Sequence, residues 1–255
     1  MISQNVCLVS PLHDPEGRIT KLLELHGKKL IKLYNQNAVI GVTPTTTNKT
    51  TDLLKSLGFK IKIQDEKTGL DLGSNYRLAL KLGLEFNTSH IQLLDFDRAL
   101  HWVNRFTNEL RDVIYYTPSY SGFLSFIRTR RAFESHPLIQ RTTETTVNAI
   151  ASEVAGVDVD IMSGSFGFDR ELTKMVVKES KRTDFGIYAE FLTIALYHKM
   201  KINTMEVEGL EWETPDQFKD KIEQEGYSAW LNEFESLPEW QRRVKLIEDS
   251  TNVLT

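Results

Sequence analysis

Two carboxylates, Asp95 and Asp97, closely follow a short apolar run at residues 91–94. A strand places residues i and i+2 on one face, so both side chains are expected on the same side of the chain. Carboxylates this close repel each other, and a divalent cation such as Mg²⁺ or Mn²⁺, which prefers oxygen ligands, would relieve that repulsion. Open α/β sheets also bind ligands at the carboxyl ends of their strands. The pair predicts a ligand site, and a solvated turn is the alternative.

A second Asp-x-Asp pair, Asp158 and Asp160, shows that this spacing alone is common. It lies inside residues 157–161, where apolar and acidic residues alternate as in a strand with one solvated face. We therefore predict a strand here with both carboxylates in solvent, and we assign the ligand site to the first pair.

The composition is that of a globular protein, since 255 residues with 40% hydrophobic content can form one large α/β domain. The net charge of −4, without long clusters of Lys or Arg, gives no reason to expect a nucleic-acid surface. Cys7 is the only cysteine, which excludes a disulfide within the chain and favours a reducing compartment. The N-terminus lacks a basic segment, and no apolar run reaches membrane-spanning length. We expect a cytoplasmic protein without a membrane span.

Strand and helix patterns alternate in the first half of the chain, which implies a mostly parallel sheet with right-handed crossovers. The predicted order is strand 5–10, helix 19–33, strand 38–43, helix 49–57, strand 59–63, helix 75–84 and a strand that ends at Asp95. Pro11 is predicted to end the first strand. A residue among Thr45–Asn48 is predicted to cap the second helix, and Gly58 to close it.

The second half is less regular. Residues 117–156 crowd aromatic residues and arginines after several breakers, and we interpret them as an elaboration over the carboxyl edge of the sheet, on the acceptor side. Simple aromatic packing is the alternative. The remaining patterns predict helix 100–110, strand 112–116, helix 142–155, a helix from Asp169, helix 187–199 with Asp184 as its N-cap, strand 201–208, and closing helices 217–225 and 227–249. The closing helices are amphipathic, so they should pack on the domain or on a second copy of the chain.

The loop before helix 75–84 contains Gly69 and Gly73. It lacks the G-x-G-x-x-G spacing of a dinucleotide site, and the chain has no P-loop. The helix is predicted to begin at Asn75 and to carry Arg77 in its first turn, where free N–H groups and a guanidinium suit a phosphate or a sugar hydroxyl. A surface arginine over an ordinary turn is the alternative.

Two motifs are more specific: SGSFGFDRE at residues 163–171 and TDFGI at residues 183–187. With the DFD sequence at residues 95–97, they resemble the GT-A type nucleotide-sugar glycosyltransferases, in particular the mannosylglycerate synthase and glucosyl-3-phosphoglycerate synthase group. The resemblance covers about residues 5–213. It implies a GT-A (Rossmann-like) α/β fold with a mixed, mostly parallel sheet flanked by helices. That domain would span residues 1–213, followed by C-terminal helices at 214–255.

The resemblance further implies metal-assisted transfer of a sugar from a GDP- or UDP-linked donor to a small-molecule or glycan acceptor. Asp95 matches the residue that holds the donor ribose, Asp97 the residue that holds the metal and diphosphate, and Asp184 the carboxylate near the reacting sugar. The implied catalytic residues are Asp184 and Arg170, and the implied donor-binding residues are Asp14, Arg77, Asp95, Arg98 and Gly164.

The chain departs from that pattern at the metal site. In those synthases a histidine after the last strand completes the site, and Trp212 occupies the matching position here, flanked by Glu211 and Glu213. Either glutamate supplies oxygen ligands suited to Mg²⁺ or Mn²⁺. The predicted metal ligands are therefore Asp97, Glu211 and Glu213.

Two other functions remain open. A nucleotidyltransferase shares the sheet, but it needs a Gly-rich, Arg-containing loop after the first strand, and the sequence PLHDP at residues 11–15 is unsuitable. A non-catalytic protein that binds sugar nucleotides is the stronger alternative, because the expected histidine is missing.

Overall fold

The computed structural model describes residues 5–65 and 71–254, and within them seven strands form one sheet in the order β3-β2-β1-β4-β6-β5-β7. The strands are β1 (Val6–Leu12), β2 (Ala38–Val42), β3 (Lys60–Ile63), β4 (His90–Leu94), β5 (Phe123–Arg128), β6 (Ser165–Asp169) and β7 (Ile202–Val207). Neighbouring strands are parallel except at β6, which runs antiparallel to both β4 and β5. The predicted α/β fold with a mixed, mostly parallel sheet is confirmed.

Helices cover both faces of the sheet. They are α1 (Thr20–Leu33), α2 (Asn48–Leu57), α3 (Leu72–Gly83), α4 (Phe96–Arg105), α5 (Thr107–Tyr116), α6 (Arg130–Glu134), α7 (Leu138–Ala155), α8 (Arg170–Glu179), α9 (Ile187–Tyr197), α10 (Lys219–Glu225), α11 (Tyr227–Phe234) and α12 (Leu237–Leu254). Alternate residues of β1 enter separate apolar clusters: Cys7 and Val9 face α3 and α9, while Val6 and Leu8 face α1 and α4. None of the helices in the described ranges combines the length and apolarity needed to cross a membrane.

The sheet reverses its direction of growth at β1, and this reversal positions the site. The chain adds β2 and then β3 on one side of β1, and it then returns to place β4 on the other side. The connections that leave β1 and β4 therefore diverge at their carboxyl ends. A crevice opens at such a switch point, and ligands of open α/β sheets bind there.

The predicted signals at the two ends of α2 are confirmed. Thr47 is the N-cap of α2 and accepts a hydrogen bond from the Thr50 N–H at 3.3 Å, and Gly58 closes that helix with φ of 96°. Pro11, however, lies inside β1 and does not end it. The reason is that β4 pairs with β1 only as far as Val9, so Pro11 has a strand neighbour on one side only and its missing N–H is tolerated.

Two of the predicted strands are wrong. Residues 112–116 belong to α5, in which Leu110 and Val113 are buried one turn apart while Tyr115 and Tyr116 are exposed. Residues 157–160 are an irregular connection followed by a short 3₁₀ helix. Asp158 is exposed as expected, but Asp160 is buried and both of its oxygens accept hydrogen bonds from Arg128.

Two strands were not predicted, β5 and β6. The residues of β5 are buried or nearly so, so its sequence lacks the alternation that marks a half-exposed strand. In β6, the small residues Ser165 and Gly167 interrupt the apolar run, and no strand was predicted there. Leu124 of β5 packs over the strand at Gly167, where an added Cβ would lie 3.1 Å from a Leu124 methyl group. This close approach explains the glycine.

The C-terminal segment forms three helices where two were predicted. A break after Phe234 separates α11 from α12. Helix α12 packs against α7 and α9, and Arg243 on it donates to Glu144 of α7 at 2.8 Å. The predicted Gly69 loop lies outside the described residues.

Candidate functional site

A cavity of about 360 Å³ opens at the carboxyl ends of β1, β2 and β4, in the crevice made by the switch point. Residues from both halves of the chain line it: Pro11, Leu12, His13, Asp14, Ile19, Thr43, Asp71, Leu72, Asn75, Tyr76, Asp95, Phe96, Asp97, Phe185, Tyr188 and Gln217. Four of these are carboxylates, and the described lining includes neither Lys nor Arg. Such a cavity is electronegative, so a bound cation would favour the binding of an anionic ligand there.

Asp95 and Asp97 both line the cavity, although not from a strand as predicted. β4 ends at Leu94, Asp95 occupies the N-cap position of α4, and Asp97 lies in the first helical turn. The short strand pairs with β1 only as far as Leu93, and the chain turns into the helix immediately afterwards. Both carboxylates therefore lie at the positively polarised N-terminus of α4, which favours negative charge.

Two tyrosines hold Asp95. Tyr76 of α3 donates to its Oδ1, and the hydroxyl of Tyr188 on α9 lies 3.5 Å from its Oδ2. Burial raises the pKa of Asp95, while the Arg98 guanidinium acts in the opposite direction. Gly164 also contacts this carboxylate: its φ is +60°, and an added Cβ would lie 2.8 Å from Asp95 Oδ2 and 3.2 Å from the Tyr188 hydroxyl. A residue with a side chain is disfavoured here by conformation and by space.

Asp97 has a protein donor on each oxygen. Oδ1 accepts from the Arg98 N–H at 2.9 Å, and Oδ2 accepts from Gln217 Nε2 at 2.8 Å. Burial, followed by the nearby charges of Glu213 and Asp95, raises the pKa of Asp97 to about 7. The hydrogen-bond donors and the positive charge that the protein provides therefore do not fully compensate the negative charge of ionised Asp97.

Arg98 is the buried cation of this group. Its Nε lies 3.8 Å from Asp95 Oδ2 and 3.8 Å from Glu213 Oε1, and its Nη1 donates to the Ser163 carbonyl. Burial alone would raise the pKa of Glu213, but the positive charges of Arg98, His136 and His101 together with a backbone hydrogen bond outweigh it, and the pKa is lowered. Glu213 Oε2 is buried and has no hydrogen-bond donor in the described part of the chain.

Asp14 forms the β1 side of the cavity. Its Oδ2 accepts from Thr50 Oγ1 at 2.8 Å, and its N–H donates to Thr46 Oγ1 at 3.1 Å. The loop after β1 is thus tied to the loop after β2 and to α2. Its carboxylate reaches the cavity in a fixed orientation.

No family model matches the sequence, and neither does any curated protein. Among solved structures, mannosyl-3-phosphoglycerate synthase from Rubrobacter xylanophilus aligns with a TM-score of 0.55 at 13% identity, over 87% of this chain and 75% of that one. This chain has the GT-A fold.

Two further alignments have lower scores. Glucosyl-3-phosphoglycerate synthase from Mycobacterium tuberculosis, solved with Mn²⁺, UDP-glucose and phosphoglyceric acid, gives a TM-score of 0.48 at 12% identity, over 79% of this chain and 69% of that one. A cytidylyltransferase from Leptospira borgpetersenii gives 0.45 at 15% identity, over 98% and 96%. The GT-A fold rests on the Rubrobacter xylanophilus alignment, and at 13% identity that alignment establishes the fold alone.

Other predicted residues lie away from the cavity of this GT-A domain. Arg170 donates to the carbonyls of Leu84 and Phe86, beside the amino end of β4. Its neighbour Asp169 pairs with His90, five residues before Asp95, or roughly 16 Å along the strand. Arg170 therefore fastens the loop that leads into β4, and we leave it out of the proposed site.

Arg77 and Glu211 are committed to other partners. Helix α3 begins at Leu72, not at Asn75, and Asp71 caps it, so Arg77 is in the second turn and donates to the Arg182 carbonyl. Glu211 lies 3.3 Å from His101 Nε2 and also pairs with Arg131. Neither residue lines the cavity.

Asp184 is not the N-cap of α9, because that position belongs to Gly186. Its Oδ2 pairs with Arg182 at 2.7 Å, and its Oδ1 accepts from the Gly186 N–H at 3.0 Å. It is absent from the cavity lining, although the next residue, Phe185, lines the cavity. Asp184 thus lies just outside the wall formed by the start of α9.

The metal site implied by the resemblance fits this structure in part. Trp212 is buried and stacks on Trp230 with ring centroids 5.4 Å apart. Across residues 5–65 and 71–254, no three His, Cys, Asp or Glu side chains converge to hold a metal by themselves. Asp97 and the unpartnered Oε2 of Glu213 do fit a cation. Mg²⁺ is commonly held by one or two carboxylates together with substrate phosphates, so a complete protein cage is unnecessary.

Sequence reasoning missed Tyr76, Tyr188 and Gln217. Tyr76 and Tyr188 fall on buried helix faces, where aromatic residues normally contribute only packing. Gln217 is a polar residue within a predicted surface helix. Only their positions in the fold reveal that all three contact Asp95 or Asp97.

Proposed function

We propose that the protein is a glycosyltransferase that binds a nucleoside-diphosphate sugar in this cavity and transfers the sugar to a hydroxyl acceptor. The supporting observation is the placement of Asp95 and Asp97 at the carboxyl end of β4, directly in the crevice between β4 and β1. An ordinary solvated turn would not place both carboxylates in a cavity where buried tyrosines hold one of them.

Each wall of the cavity suits one part of such a donor. Leu12 and Ile19 offer an apolar surface for the base, while Asp14 supplies a fixed acceptor beside it. Asp95 suits the ribose hydroxyls, and the diphosphate would lie at Asp97. These assignments agree with the roles that the sequence resemblance implies for Asp14, Asp95 and Asp97.

A divalent cation completes the charge balance. Asp95, Asp97 and Glu213 contribute three negative charges and Arg98 one positive charge, which leaves two negative charges uncompensated when all are ionised. Asp97 would hold Mg²⁺ or Mn²⁺, with Glu213 as a second candidate ligand. Bound there, the cation would neutralise charge on the departing diphosphate. Arg98 is a fixed cation close to the same point, and its position is set by Ser163, Asp95 and Glu213.

Asp184 remains our proposed acceptor-side carboxylate. It lies next to Phe185, which together with Tyr188 forms the α9 wall of the cavity. A carboxylate beside the reacting sugar can stabilise positive charge at the anomeric carbon or orient the acceptor hydroxyl. The charge of Asp184 is shared with Arg182, so a small displacement of Arg182 would be needed to free it.

Ligand-induced stabilisation tests the donor site. UDP, GDP and ADP are each screened with Mg²⁺ or Mn²⁺, and one nucleotide with cation should stabilise the protein by about 2.7 kcal/mol at a hundredfold excess over its Kd. Asp97→Asn should abolish the joint effect. Asp158→Asn, which alters an exposed carboxylate of the other Asp-x-Asp pair, should retain it. No stabilisation with any combination would rule out the donor site.

The remaining alternatives differ in their products. A glycosyltransferase hydrolyses its nucleotide sugar slowly even without acceptor, releasing nucleoside diphosphate. A nucleotidyltransferase would instead release pyrophosphate from a nucleoside triphosphate. A binding protein would take up the nucleotide sugar and release neither product, an outcome consistent with Trp212 standing where the resemblance expects histidine.

A further inference from the structure

Gln217 contacts the carboxylate that the proposed cation needs. It lies on the short 3₁₀ helix Thr214–Phe218, and its Nε2 donates to Asp97 Oδ2 at 2.8 Å. The other oxygen, Oδ1, accepts from the Arg98 N–H. A neutral amide therefore occupies one oxygen of Asp97, and both Asp97 and Gln217 line the cavity.

The segment Thr214–Phe218, here termed the strap, is held mainly by side-chain contacts. None of its residues is buried. Asp216 pairs with His101 Nδ1 at 2.7 Å, and the Phe218 ring lies 4.5 Å from the Arg18 guanidinium carbon and near Trp230. Segments with few buried apolar contacts open at low free-energy cost. The strap can therefore move while Trp212 and Glu213, which are buried before it, stay in place.

We propose that Gln217 competes with the divalent cation for Asp97, and that the strap leaves Asp97 when the cation and the nucleoside diphosphate bind. This inference rests on the proposed function. A carboxylate oxygen has two lone pairs, and the proposal requires the cation to take the Oδ2 lone pair that the amide N–H occupies, so that this hydrogen bond breaks before or during binding. A hydrogen bond to a charged group is strong enough to weaken the apparent affinity by about tenfold. The strap is thus a self-inhibiting element of the ligand-free protein.

Direct Mn²⁺ binding tests this competition. The paramagnetic signal of free Mn²⁺ is titrated with wild-type protein, Gln217→Ala and Gln217→Lys. Removing the amide should tighten Mn²⁺ binding about tenfold, whereas a lysine ammonium paired with Asp97 should weaken it by at least that factor. Gln224→Ala is the matched control, because Gln224 is an exposed glutamine on the neighbouring α10, and it should bind like wild type.

Hydrogen exchange gives a second measurement. In wild type, the amides of Thr214 and of residues 216–218 should exchange faster when Mn²⁺ and the stabilising nucleotide are bound, because the strap has left Asp97. Melting temperatures of the variants check that each one folds. Binding of Mn²⁺ by Gln217→Ala but not by wild type would support the proposal in its strongest form.

The failure of this inference is distinguishable from failure of the proposed function. If wild type binds Mn²⁺ and nucleotide, Asp97→Asn does not, and Gln217→Ala matches wild type, the competition is overturned while the donor site stands. If neither wild type nor Gln217→Ala binds Mn²⁺ or any nucleotide, both proposals are overturned.

Discussion

The hydroxyl oxygens of Tyr76 and Tyr188 lie 2.6 Å apart, and both reach the carboxylate of Asp95. The two rings pack edge to face with centroids 5.6 Å apart. Burial raises the pKa of both phenols, so both remain protonated at neutral pH. Helices α3 and α9, which are far apart in sequence, thereby meet on one carboxylate at the end of β4 and fix its orientation.

Removal of one hydroxyl should weaken both the fold and the site. Tyr76→Phe takes away a direct donor to a partly buried carboxylate, so we expect a loss of about 1–3 kcal/mol in the free energy of unfolding. Donor affinity should fall about tenfold, because Asp95 is no longer held in one orientation. Urea denaturation and nucleotide titration in the presence of Mn²⁺ measure the two effects. Tyr197→Phe, on a highly exposed tyrosine, should change neither, and equal behaviour of the two variants would contradict this role.

Two glycines with nearly the same backbone conformation allow the cost of backbone strain to be measured separately from the cost of steric crowding. Gly156 and Gly164 have φ of +68° and +60°, but an added Cβ at Gly156 meets nothing within 4 Å. Gly156→Ala should therefore cost only the left-handed conformation, about 1–2 kcal/mol. Gly164→Ala adds a clash with Asp95 and Tyr188, so it should cost more and should also weaken nucleotide binding at least tenfold. Equal unfolding free energies and unchanged binding would show that Asp95 has room to move.

The first half of the fold was predictable because its signals are local. Each strand from β1 to β4 corresponds to a separate apolar run, and the position of the Asp95–Asp97 pair after one such run predicted that both residues lie at the carboxyl end of the sheet, where they line the cavity. The cap at Thr47 and the left-handed Gly58 depend on their immediate neighbours only. Such features need no knowledge of distant residues.

The rest depends on contacts between residues distant in sequence. Strand β6 is inserted antiparallel between β4 and β5, so Gly167 is explained by the packing of Leu124 and not by its own sequence neighbours. Asp160 was predicted to lie in solvent, because its partner Arg128 comes next to it only in the folded chain. The contacts of Tyr188 with Asp95 and of Gln217 with Asp97 also join residues more than 90 positions apart. No local pattern records those pairings.

The raised pKa of Asp97 predicts a specific dependence of stability on pH. The folded protein keeps this proton up to about pH 7, whereas the unfolded chain releases it near the ordinary value of 3.8. The folded state therefore binds more protons over this interval, and stability falls as pH rises through it. Compared with Asp97→Asn, metal-free wild type should lose stability from about pH 4 to about pH 7, and the difference should level off above pH 7. Urea denaturation across this range measures it, and a constant difference would contradict the shift.

Asp184 provides the sharpest test of catalysis, because its structural contribution is now small. It does not cap α9, and both partners of its ion pair with Arg182 are about one-third exposed, so the pair should contribute less than about 1 kcal/mol to stability. Asp184→Asn should therefore retain the melting temperature and, since Asp184 lies outside the cavity lining, the donor affinity as well.

If the charge of Asp184 serves the transferred sugar or the acceptor, Asp184→Asn should lower turnover by about a hundredfold or more at saturating donor, the scale of a lost electrostatic or acid–base contribution. Donor hydrolysis reports this before the acceptor is known. Asp112→Asn, on an exposed aspartate of α5, is the matched control and should keep full activity. Full activity of Asp184→Asn would assign Asp184 to the Arg182 ion pair alone. The search for a catalytic carboxylate would then move to Asp71 and Asp95, because Glu144 is fully engaged by Arg128 and Arg243 and Asp169 caps α8.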